Sequence, residues 1–106
     1  MAWVFLVCAG LLETVWAFFM KKSVGFTLHA PTAITIIAMI ASVALLSVSM
    51  KTLPLGTAYT VWTGIGAVGA FVVGIAFLGE AATLMRFVAA ALIVAGIMMM
   101  KLSGND

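Results

Sequence analysis

Polar side chains are sparse along this chain, and their spacing divides it into four long apolar runs. The runs cover residues 2–20, 32–50, 55–78 and 83–102, and the short segments between them hold three of the four lysines and both prolines. A helix needs about 20 residues at ~1.5 Å each to cross a hydrocarbon core of ~30 Å, so each run predicts one membrane-spanning helix. Pro31 suits the first position of the second helix, and Leu53 and Pro54 lead into the third. In the fourth run the fully apolar part starts at Phe87, so Arg86 must snorkel from the first turn. The predicted connections are residues 23–30, 51–54 and 79–82, and residues 103–106 are expected to fray. No sequence repeat is visible. The expected form is all-α, a single membrane domain over residues 1–106 folded as a four-helix bundle.

Composition agrees with this pattern. The chain is 66% hydrophobic and 8% charged over 106 residues, against about 25% charged in a soluble domain. Four spans consume nearly all of it, leaving no separate catalytic module. The first run does not read as a signal peptide, because Lys21 and Lys22 follow the apolar stretch and Glu13 interrupts it. Cys8 is the only cysteine, which excludes an internal disulfide and argues against a cysteine-based metal cluster. A formal charge of +2 with no basic stripe gives no reason to expect nucleic acid. No cofactor or metal is expected.

Charge also bears on orientation. With the N-terminus cytoplasmic, that side holds two basic residues, Lys51 and Lys101, and the opposite side holds three, Lys21, Lys22 and Arg86. Orientation follows the excess of Lys and Arg in short loops, and here the excess is a single residue. Such a chain is expected to insert both ways. Two inverted copies related by an axis in the membrane plane then form an antiparallel, dual-topology homodimer, the symmetry used for alternating access.

Glu13 is the charge that this arrangement must accommodate. It lies near the middle of the first run, where a carboxylate costs about 2.5–3.5 kcal/mol on insertion scales and is read as functional by default. Gly10, Trp16 and Ala17 share its helical face. On the third helix Tyr59, Trp62, Thr63 and Gly66 form a second polar stripe with the same spacing, and Ser42 lies near the middle of the second. Periodicity alone leaves Trp16 and Trp62 equally readable as packing residues. Ser42 is also readable as a hydroxyl bonded back to its own helix. Gly64 and Gly66 are expected to allow close packing and to form a hinge. A carboxyl group in hydrocarbon holds a proton or pairs with a cation, and the two compete. In a two-fold dimer with alternating access, that competition predicts proton-coupled cation antiport. No nucleophile–base pair or phosphate loop is present, so an enzyme is not expected.

Several segments have a specific resemblance. Residues 13–16 (ETVW), Lys21, Gly25, Phe26, Pro31, residues 51–67 (KTLPLGTAYTVWTGIGA) and residues 89–97 (AAALIVAGI) resemble the small multidrug resistance family of four-helix bacterial transporters. Trp16, Ser42 and residues 62–66 (WTGIG) look like its guanidinium-exporter branch. Thr14 and Lys22 depart from the family pattern and lie outside the expected site; Lys22 matters mainly for the insertion bias, and His29 reads as an interfacial anchor.

The resemblance implies an antiparallel homodimer in the bacterial inner membrane, surrounded by lipid. It exports guanidinium in exchange for protons at a site holding both copies of Glu13. It also implies dimer packing through the fourth helix, at Ala91, Ala95 and Gly96. Guanidinium is planar and permanently charged, and its N–H pairs suit a carboxylate. On this reading Trp16 and Ser42 orient Glu13, Tyr59 links the two sites, Trp62 walls the pocket and Gly10 leaves room. The alternatives are an exporter of quaternary ammonium ions, a structural subunit of a heteromer, and a proton channel.

Overall fold

The computed structural model describes residues 1–103, in four helices: α1 (Ala2–Lys22), α2 (His29–Ser49), α3 (Leu55–Leu78) and α4 (Leu84–Ser103). All four are long and apolar enough to cross a membrane. The chain is a multi-pass, all-helical membrane protein. Ser103 closes α4, and the rest of the expected frayed tail, residues 104–106, lies outside the described residues.

The helix ends follow local chemistry. α2 starts two residues earlier than Pro31, so the proline occupies the third helical position and not the first. It is tolerated there because the first four N–H groups of a helix have no partner within it. Gly79 ends α3 in a left-handed conformation (φ 68°), and the next N–H, that of Glu80, donates to the Gly74 carbonyl at 3.1 Å.

The α1–α2 connection is tighter than the sequence suggests, because Val24, Gly25 and Phe26 all have positive φ (51°, 67° and 65°). Left-handed backbone costs a non-glycine residue about 1–2 kcal/mol, so Val24 and Phe26 need compensation. Buried Ser23 supplies it. Its hydroxyl donates to the Met20 carbonyl at 2.6 Å and accepts from the Phe26 N–H at 3.0 Å, and its carbonyl accepts from the Thr27 N–H at 2.9 Å.

The helices do not close into the expected bundle. They lie side by side in the order α2, α1, α3, α4, with α2 also reaching α3, and the backbone of α4 packs along α3. The result is a slab of 43 × 34 × 16 Å. Leu6, Ala9, Leu46, Leu53, Ala58 and Val61 form its core, at the end where α1 and α3 begin and α2 and α4 finish. At that end Lys101 sits 4.6 Å over the Trp3 ring, tying α4 to the start of α1. No residue of α4 is buried. An aqueous protein would not leave a helix this exposed, but lipid chains solvate an apolar face as well as another helix does.

Candidate functional site

Glu13 stands on the seam between α1 and α3. Its atom Oε1 is buried and has no hydrogen-bond partner among the described residues. The carboxyl group fits only because α3 presents Gly66 there: a β-carbon at that position would meet Oε1, Cδ and Cγ of Glu13. One turn before Glu13, α1 approaches α3 through Gly10, whose added β-carbon would lie 2.6 Å from Ile65 Cγ2. Thr14 occupies the third contact, its hydroxyl against Gly69 and donating to the Gly10 carbonyl at 3.4 Å. Small residues thus bring two backbones close enough for a carboxyl group to be enclosed between them.

Trp16 lies one turn beyond Glu13, and its indole Nε1 is also buried without a partner among the described residues. A buried donor and a buried acceptor, both unpaired, are exceptional in a folded chain. Each forfeits its hydration without a replacement bond. Neither Trp16 nor Ser42 bonds to Glu13 within the chain, which differs from the expected orienting network.

Ser42 is used differently. Its hydroxyl donates to the Ala9 carbonyl at 2.7 Å and accepts from Trp62 Nε1–H at 3.0 Å. One side chain of α2 therefore ties α1 and α3 together, just ahead of Gly10. The carbonyl of Ala9 is a member of this network that side-chain reading could not find, because no side-chain signal marks a backbone acceptor. Replacing Ser42 by Ala leaves the Trp62 N–H unpaired and is expected to destabilise the protein by about 1–2 kcal/mol. The Trp62 indole proton should shift upfield in an NMR spectrum, while Ser47→Ala, on the exposed face of α2, leaves it in place. An unmoved Trp62 resonance in Ser42→Ala would refute the bridging role.

Tyr59 and Trp62 stack at 5.5 Å between ring centroids, tilted by 51°. Tyr59 is 53% exposed and borders a cavity of about 640 Å³ between α3 and α4, with Thr63, Gly64, Ile93, Gly96 and Ile97 among its walls. The cavity does not include Glu13. Ser42 and Trp62 belong to one network, Tyr59 and Thr63 line the adjacent cavity, and Gly66 seats the carboxyl group. α3 runs unbroken through Gly64 and Gly66. Gly64 is a notch for Ile97 of α4, whose Cδ1 would stand 2.9 Å from an added β-carbon. Ala91 and Ala95 are exposed, and Gly96 has nothing within 4 Å of where a β-carbon would stand.

Comparison with known proteins adds two findings. The family model described as Small Multidrug Resistance protein matches residues 1–93. Proteins named "Guanidinium exporter" from Citrobacter freundii, Salmonella typhimurium and Escherichia coli (strain K12) are each 58% identical over 103 residues, covering 97% of this chain and 98% of the relative.

Proposed function

The chain belongs to the small multidrug resistance family, and from that premise we propose that it exports guanidinium in exchange for protons. It is a transporter and not an enzyme. The observation that carries the substrate reading is the unpartnered Glu13 carboxyl oxygen, buried midway along a membrane-spanning helix one turn before the unpartnered Trp16 N–H. The name shared by relatives at 58% identity supports it. A guanidinium ion supplies N–H donors in a planar fork, and these are what a buried carboxylate lacks. Quaternary ammonium ions have no N–H donors and would leave the oxygen unpaired.

The protein works as an antiparallel homodimer in the bacterial inner membrane, each copy contributing one Glu13. The slab shape supports a second copy, since Tyr59, Thr63 and the small residues of α4 have no covering helix in one chain. Ala91, Ala95 and Gly96 are the packing positions for that second α4. Alternating access then follows from exchange between two inverted conformations. In each of them Glu13 binds either a proton or the cation.

The test is transport in vesicles containing only the purified protein. An inward guanidinium gradient is expected to drive protons outward, and a tetraethylammonium gradient of the same size to drive at least tenfold less. Proton movement driven by tetraethylammonium alone would reverse the substrate assignment. Proton conduction with no cation present would replace the antiporter by a channel.

A further inference from the structure

The end of the slab away from the hydrophobic core carries a second, basic site. There a cavity of about 320 Å³ opens between α1, α3 and the start of α4, with Lys21, Glu80 and Arg86 as its charged lining and Phe18 and Phe71 among its apolar walls. Lys21 sits in the last turn of α1, where a cation suits the helix dipole. Arg86 is in the first turn of α4, which has no acidic residue. A cation there adds to the positive end of that helix instead of offsetting it. Glu80 offsets only one of the two positive charges: its carboxylate rests against Gly74 of α3, and among the described residues it forms no ion pair with either base. The cavity therefore has a net positive mouth over an apolar floor. Beyond Phe18 and Val73, which line both, lies a second cavity of about 250 Å³ with Val15, Phe19 and Phe77 in its walls.

We propose that this pair of cavities binds an anionic phospholipid, with the phosphate between Lys21 and Arg86 and an acyl chain in the apolar slot past Phe18. Basic pockets between membrane helices recognise lipid headgroups by this combination of charge and depth. The site is separate from Glu13 and does not depend on which cation is exported. Lys22 belongs to neither cavity; it lies 5.6 Å from the centroid of the Phe18 ring.

Native mass spectrometry of the full chain, with equal amounts of phosphatidylglycerol and phosphatidylcholine, tests the proposal. The wild type should retain phosphatidylglycerol preferentially. Lys21→Gln and Arg86→Gln should each lower that preference about fivefold, since a basic residue near the headgroups contributes on the order of 1 kcal/mol. Glu80→Gln should raise it, a gain that misfolding cannot produce. Lys22→Gln should change it by less than about twofold, and inorganic phosphate should not displace the lipid. Equal retention of the two lipids, or an effect of Lys22→Gln as large as that of Lys21→Gln, would overturn the site. So would displacement of the lipid by inorganic phosphate, which would make the acyl slot irrelevant.

Discussion

In vesicles, guanidinium is expected no longer to drive proton movement when Glu13 is replaced by Gln. Gln keeps the shape of the side chain and can still accept a hydrogen bond, so it fits the same notch at Gly66. It carries no charge and holds no titratable proton. Losing one partner of a buried charge pair costs about 3–5 kcal/mol, so cation binding should weaken on the order of 10²–10⁴-fold. The pH dependence should disappear with it. In the wild type, protons compete with the cation for one carboxylate, so apparent guanidinium affinity falls as pH falls and rises as pH rises. In Glu13→Gln nothing titrates at the site, and residual binding is flat with pH. Calorimetric titration at several pH values reads both effects. Coupled exchange that persists in this variant would remove Glu13 from the mechanism, whatever the substrate.

Gly66→Ala is the second large expected effect. The added methyl falls within the space of the Glu13 carboxyl group, with Glu13 Cγ at 2.7 Å and two further atoms closer. Either the carboxyl group swings out of the seam or α1 and α3 move apart. Overpacking of this kind costs about 1–3 kcal/mol in stability. The functional loss should be greater, because a misplacement of about 1 Å is enough to cost a positioned group 10²-fold. Guanidinium-driven exchange is expected to fall at least tenfold, and the infrared carbonyl band of protonated Glu13 should shift. Gly56→Ala is the matched control, since a β-carbon there meets nothing within 4 Å. It should keep full exchange and gain a little helix stability. If both variants transport normally, Gly66 is not the seat of the carboxyl group.

These expectations draw unequally on sequence and structure. The apolar runs and the lone central carboxylate mark the spans and the functional charge without any coordinates. Each rests on properties of one helix at a time: its length against the bilayer and the cost of a charge within it. Pro31 suits a first helical position and stands at the third, where its missing N–H is equally free of an intrahelical partner. Residue counting puts Ser42 near the middle of its span, and its partners are the Ala9 carbonyl and Trp62 instead of Glu13. Depth along a helix follows from counting residues, whereas the rotation and offset between neighbouring helices do not.

The sequence by itself determined four spans, one buried carboxyl group and the polar faces on which Trp16, Tyr59, Trp62 and Thr63 lie. Only the tertiary structure decided that Gly66 seats Glu13, that Ser42 bridges three helices and that α4 packs along α3. The reason is the solvent. In water, burial would select which face of each helix turns inward, and that choice would be legible as an apolar stripe. In lipid an apolar residue is equally at home inside or outside. Close approach at Gly10, Gly66 and Gly69 and a few hydrogen bonds then choose the packing, and these depend on pairs of residues that no single helix displays.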